Sequence, residues 1–71
     1  MSETTERQLR DLTERVRRAC LMAAAEAYED AGLRGLCADG RRECARQAIA
    51  DLDLDEVVRD EASSIRSRAS R

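Results

Sequence analysis

Residues 19–40 read ACLMAAAEAYEDAGLRGLCADG, and this stretch decides the fold. Its first half continues a long amphipathic helix, and its second half holds all three glycines of the chain, at positions 32, 35 and 40. Glycine is the residue that most often ends a helix, because it adopts a left-handed conformation without a Cβ clash. The chain has no Pro and is rich in residues that favour helices. We therefore predict an all-α fold of three helices, in which helix 1 is long and the other two are shorter.

Helix 1 is predicted from the spacing of apolar residues, which recur at 3.6-residue periodicity along one face. The predicted helix runs from about residue 4 to residue 31. Gly32 is the expected cap, with Leu33 placed to contact Tyr28 as in a Schellman turn. The opposite face, up to residue 18, is charged and contains two i, i+4 pairs of favourable order, Asp11–Arg15 and Glu14–Arg18. The apolar face consists of Leu9, Leu12, Val16, Ala19, Cys20, Ala23, Ala24, Ala27 and Ala31.

Two shorter helices are predicted after the glycines. Helix 2 is expected to begin at Asp39 or Gly40, and the DLDLDE segment predicts the start of helix 3 with Asp53 as its cap and Glu56 three residues later. The apolar stripe of helix 2 contains Cys44, Ala45, Ala48, Ile49 and Leu52, and that of helix 3 contains Leu54, Val57, Val58, Ala62, Ile65 and Ala69. We expect one small domain over residues 1–71, with fraying at residues 1–5 and 67–71.

Helix lengths allow two layouts. Helix 1 is roughly 40 Å long at 1.5 Å per residue, and the other helices are each about half of that. Helices 2 and 3 can follow each other back along helix 1 as a bent helical hairpin with one face open, or all three can form a small three-helix bundle. Leu21, Met22 and Ala25 lie off the apolar stripe and make helix 1 apolar nearly all round. With Tyr28 they form the predicted interface, and we favour the open hairpin as a homodimer or bound to another helical protein.

The charge balance constrains the partners. The chain has 13 Lys and Arg residues against 15 Asp and Glu residues, for a formal net charge of -2. A dedicated nucleic-acid binder would normally have a basic excess, so this balance disfavours nucleic acid as the main partner. The sequence has no signal peptide and no apolar run of membrane-spanning length, which indicates a cytoplasmic protein with no membrane partner.

The three cysteines are the only soft ligands or thiol nucleophiles in the chain. Cys20 and Cys44 lie on apolar stripes, where the expected role is packing in the core. Cys37 lies near the predicted start of helix 2, close to Arg41 and Arg42, and both a helix N-terminus and Arg lower a thiol pKa. Cys37 is therefore the candidate reactive thiol, and a thiol-based redox sensor is a third functional hypothesis. A zinc site would need a fourth ligand beside the three cysteines and usually a shorter paired spacing, and the chain has no His, so we predict no bound metal.

A second candidate site combines Gly40, Arg41 and Arg42, because free N–H groups at a helix start and guanidinium groups both bind anions. Together with Arg17, Arg18 and the basic C-terminal residues 63–71, this site supports the alternative hypothesis of a small anion-binding or nucleic-acid-binding regulator.

The acidic end of helix 1 is unexpected, because Glu26, Glu29 and Asp30 lie where the helix dipole favours cations. We expect Arg34, Arg41 or Arg42 to offset this charge. The sequence contains no general base, nucleophile pair or cofactor motif, so it predicts no catalytic residues, no cofactor and no enzymatic activity.

The segment AYEDAGLRGLCADGR, residues 27–41, resembles one in short uncharacterised bacterial helical proteins. In those proteins a helix ending in Tyr-Glu-Asp-Ala is followed by Gly-Leu-Cys, an acidic residue and Gly-Arg. An aromatic residue often comes next, where this chain has Arg42. The resemblance implies a bacterial source and carries no established activity. The functional prediction is therefore a small non-enzymatic helical protein-interaction or regulatory module that self-associates.

Overall fold

The computed structural model describes residues 5–69 and confirms the all-α prediction. Three helices follow in the order α1 (Glu6–Leu33), α2 (Ala38–Ala50) and α3 (Leu54–Ala69), and α1 is the longest. Two compact units are distinguishable by their contacts: one combines the first part of α1, up to Arg17, with α3, and the other spans Arg18–Leu52. In the described residues, no helix is both long enough and apolar enough to cross a membrane.

The start of α1 is fixed by a capping box. The Thr5 hydroxyl accepts a hydrogen bond from the backbone N–H of Gln8 at 3.1 Å, and the Gln8 side chain accepts one from the backbone N–H of Thr5 at 2.9 Å. This reciprocal pair satisfies two N–H groups at the helix start. The fraying predicted for residues 1–5 stays a prediction, and residues 1–4 lie outside the described part of the chain. At the other end α3 is helical through Ala69, residues 70–71 lie outside the described part of the chain, and the predicted fraying of residues 67–71 stays a prediction.

The end of α1 differs from the prediction by two residues. Gly35, not Gly32, has the positive φ of +89°, and α1 continues through Leu33. The backbone N–H of Leu36 donates to the carbonyl of Ala31, and that of Gly35 donates to the carbonyl of Gly32, each at 3.0 Å. These two bonds define a Schellman motif with Gly35 in the left-handed position. Leu33 is 88% exposed, so it does not make the packing contact that was expected of it.

The predicted start is wrong for α2 and confirmed for α3. Cys37 is the N-cap residue of α2 and its carbonyl accepts the Arg41 N–H at 2.8 Å, so α2 begins before the predicted Asp39 or Gly40. The prediction for α3 is confirmed, because the Asp53 carboxylate accepts the Glu56 N–H at 3.2 Å. An N-cap bond of this kind typically contributes about 1 kcal/mol of stability.

The core is thin. Among the described residues only Ala31 and Val57 are buried apolar side chains, and no large side chain is fully buried. Within each unit one segment of α1 packs with one shorter helix, α3 in the first unit and α2 in the second. A pair of helices buries only one face of each helix, so the other faces stay in contact with water.

Candidate functional site

Arg41 organises the turn between α1 and α2. Its Nε donates a hydrogen bond to the carbonyl of Leu36 at 3.0 Å, and its guanidinium carbon lies 5.9 Å from the centroid of the Tyr28 ring. The guanidinium group also covers Gly32 so closely that a Cβ at that position would lie 3.1 Å from it. Gly32 therefore permits the close approach of Arg41.

The candidate anion site lies at the start of α2, within a network of intramolecular contacts. Arg41 is held against Leu36 and Tyr28, and the Nη2 of Arg42 donates to the Asp39 carboxylate at 3.0 Å. A Cβ at Gly40 would lie 3.2 Å from the Leu36 side chain, so this glycine allows α2 to approach the turn. These positions show that Gly40 and Arg41 shape the turn. Anion binding by the three residues stays a prediction.

Cys37 occupies the N-cap of α2 with its side chain exposed. The backbone N–H groups of Gly40 and Asp39, which face the sulfur, lower the pKa of the Cys37 thiol from its ordinary value, with a smaller lowering from the charge of Arg41. The neutral thiol makes no capping hydrogen bond to the helix. The thiolate is the form that these N–H groups stabilise. All three cysteines are free, and Cys20 and Cys44 are partly buried.

We expect Cys37 to be the fastest of the three cysteines to react with iodoacetamide. Because its pKa is lowered, its thiolate fraction at neutral pH exceeds that of the same residue in the unfolded chain, and the two fractions become equal only at pH values above both pKa values. Mass-spectrometric mapping of alkylation against pH should give a lower half-maximal pH for Cys37 in the folded protein than in urea. A Cys37→Ser variant serves as the control for assignment. Equal midpoints in the two states would contradict the expectation.

The acidic end of α1 is only partly neutralised. Arg34 pairs with Asp30 at 3.0 Å, as expected. In the part of the chain that the structure describes, Glu26 and Glu29 form no ion pair, although both are exposed. Arg41 and Arg42 are occupied elsewhere in the turn. The charges of Glu26 and Glu29 are therefore available on the surface of α1.

The four predicted interface residues lie on the exposed surface of α1. Leu21 is 65% exposed, Met22 is 58% exposed and Tyr28 is 44% exposed, and Ala25 is exposed between them. Leu21, Ala25 and Tyr28 recur at i, i+4 and i+7, so they form one stripe with Met22 beside it. We call these four residues the α1 apolar patch. Their role as an interface stays a prediction.

Sequence reasoning missed a buried ion pair between α1 and α3. Glu61 is a buried carboxylate, and its Oε1 accepts a hydrogen bond from the Nε of Arg15 at 2.6 Å. Arg15 also donates to Ser64 at 3.4 Å, and Arg68 lies 3.8 Å from the Oε2 of Glu61. Oε2 is buried without a hydrogen-bond partner among the described residues. Arg15 pairs with Glu61 instead of Asp11, and Glu14 pairs with Arg17 instead of the predicted Arg18.

A signal for this pair exists in the spacing of α3. Glu61 follows Val57 by four residues and precedes Ile65 by four, so it lies within the apolar stripe. An acidic residue at such a position needs a cation from another element, because an unpaired buried charge is costly.

Among residues 5–69 no group of three or more Cys, Asp or Glu side chains has an arrangement that could hold a metal ion. No protein-family model, curated protein or solved structure matches the chain.

Proposed function

We propose that the protein is a small non-enzymatic helical interaction module that binds a second copy of itself through the α1 apolar patch. The exposure of Leu21 and Met22 on one surface of α1 carries this proposal. Single exposed apolar residues are common on protein surfaces, but adjacent ones rimmed by charged residues are typical of interaction sites. Arg17 and Arg18 precede the patch in the sequence, and Glu26 and Glu29 lie on either side of Tyr28 at its other end.

The thin core supports self-association. Domains of about 70 residues have only a few kcal/mol of net stability from a single core. The described part of this chain has no large apolar side chain that is fully buried, and α2 has no buried residue. Binding of a second copy would cover Leu21 and Met22 and add apolar burial that the monomer lacks. Each 100 Å² of apolar surface removed from water contributes about 2.5 kcal/mol before the costs of association.

A bacterial cytoplasm is the proposed location. Three free cysteines, one of them exposed at Cys37, are compatible with a reducing compartment. The bacterial source rests on the resemblance of residues 27–41.

The proposal is tested by multi-angle light scattering over a range of concentrations, with Leu21→Asp and Met22→Asp beside the unmodified protein. We expect a dimer whose dissociation constant rises at least about tenfold in each variant, because a carboxylate placed in an apolar interface loses its hydration. Leu54→Asp is the matched control, because Leu54 is 52% exposed but lies at the start of α3, where the helix dipole favours an acidic residue. A protein that stays monomeric at all concentrations would overturn the proposal.

A further inference from the structure

The α1 apolar patch has opposite charges at its two ends. On a helix with 100° per residue, Arg18, Ala25 and Glu29 fall within about 40° of one another, and Met22 lies next to them. Arg18 precedes the patch and Glu29 ends it, and both side chains are exposed. From Arg18 to Glu29, over about 16 Å of the helix, this surface is therefore first basic, then apolar and finally acidic.

Neither of these two charges is neutralised within the chain. In the described part of the protein Arg18 and Glu29 form no ion pair, whereas the adjacent Arg17 pairs with Glu14 and Asp30 pairs with Arg34. The unpaired charges are the ones on the same side of α1 as Met22 and Ala25. Ala31, the one buried residue of α1 among those described, and the partly buried Ala24 lie on a different side of the helix from Met22 and Ala25.

These observations distinguish between the two ways in which a second α1 can lie on the patch. A parallel copy would place Arg18 against Arg18 and Glu29 against Glu29. An antiparallel copy, related by a two-fold axis between residues 23 and 24, places Arg18 against Glu29 of the second copy twice. The same axis places Met22 against Ala25 of the second copy. A large side chain opposite a small one lets two helices approach closely.

We propose that the partner on the α1 apolar patch is a second copy of this chain lying antiparallel, held in register by two symmetric Arg18–Glu29 ion pairs across the interface. This inference rests on the proposed self-association and adds its orientation and its specificity. Charge pairs at an interface mainly fix register and exclude wrong arrangements, while the apolar contacts provide most of the affinity.

The test compares Arg18→Glu, Glu29→Arg and the double variant by sedimentation equilibrium at low salt. Each single change turns both ion pairs into like-charge contacts, so we expect the dissociation constant of the dimer to rise roughly tenfold. The double variant restores both pairs with reversed sign and should return close to the original affinity. An equimolar mixture of the two single variants should form a heterodimer tighter than either homodimer. Added salt should reduce all these differences.

Two charge-reversal controls on α3, Arg59→Glu and Asp60→Arg, change the net charge equally without touching the patch. Both residues are exposed, and circular dichroism of every variant checks that it folds. If the unmodified protein dimerises but the single variants bind as tightly as the controls, or the double variant stays weak, the antiparallel arrangement is overturned and self-association stands. If the unmodified protein is monomeric at all concentrations, both proposals fall.

Discussion

Replacing Arg15 with Met should lower the free energy of unfolding by about 2–3 kcal/mol, which is a large share of the stability of so small a domain. The loss is expected because the Glu61 carboxylate is only 7% exposed and would remain buried without its closest cation. Arg68 lies 3.8 Å from Oε2, which is beyond hydrogen-bond distance, whereas Arg15 makes the 2.6 Å bond. Urea unfolding at fixed protein concentration measures the change, since self-association itself shifts stability with concentration.

Replacing Glu61, the other partner of this ion pair, should lower the free energy of unfolding much less. In Glu61→Leu the Arg15 side chain, already 40% exposed, can turn toward water, and the new side chain fits the apolar stripe of α3. We expect a change within about 1 kcal/mol in either direction, and the double variant should resemble Glu61→Leu alone. Arg17→Met is the matched control, because the Arg17–Glu14 pair is exposed and should matter by less than about 0.5 kcal/mol. Equal losses for Arg15→Met and Arg17→Met would show that Glu61 does not depend on Arg15.

Gly35→Ala should lower the free energy of unfolding by about 1–2 kcal/mol, equivalent to roughly 4–16 °C in melting temperature. The destabilisation comes from the backbone, since φ is +89° and no atom beyond the adjoining residues lies within 4 Å of the position that a Cβ would occupy. Ala pays the full left-handed penalty without gaining or losing a contact. Thermal melts followed by circular dichroism measure it.

Asn at the same position separates conformation from side-chain size. Asn tolerates the left-handed region better than Ala, although it is larger. We expect Gly35→Asn to lose about half as much stability as Gly35→Ala. If Asn is the more damaging of the two, the open space around Gly35 is not available and the conformational explanation fails.

The sequence predicted the number and order of the helices but placed the end of α1 at the wrong glycine. Gly32 and Gly35 are three residues apart, and either could end a helix by composition alone. The structure separates their roles, because Gly35 adopts the positive φ and Gly32 makes room for the Arg41 guanidinium. That second role depends on a residue nine positions later in the chain, which helical periodicity does not reveal. Helical periodicity likewise does not reveal that Cys37, rather than the predicted Asp39 or Gly40, caps α2.

The candidate sites were predictable to different degrees. Leu21, Met22 and Ala25 were identified because they depart from the apolar stripe, and the structure places all three on the exposed surface. The sequence does not predict the Glu61 pair, because helical periodicity places Arg15 on a charged surface face of helix 1. Their contact joins residues 46 positions apart, and only the packing of α3 on α1 brings them together. Local patterns therefore locate faces of helices well and identify long-range polar partners poorly.

The turn between α1 and α2 also bears on how the chain folds. The second unit closes a helix pair over four residues, 34–37, whereas the first unit must join Arg15 to Glu61 across 46 positions. The entropy lost on closing a loop grows with its length, so the short closure comes at the lower cost. We therefore expect the hairpin of α1 and α2 to form before α3 packs on α1. In this order of events, the Glu61 carboxylate leaves water only when α3 packs against α1, where Arg15 is its partner.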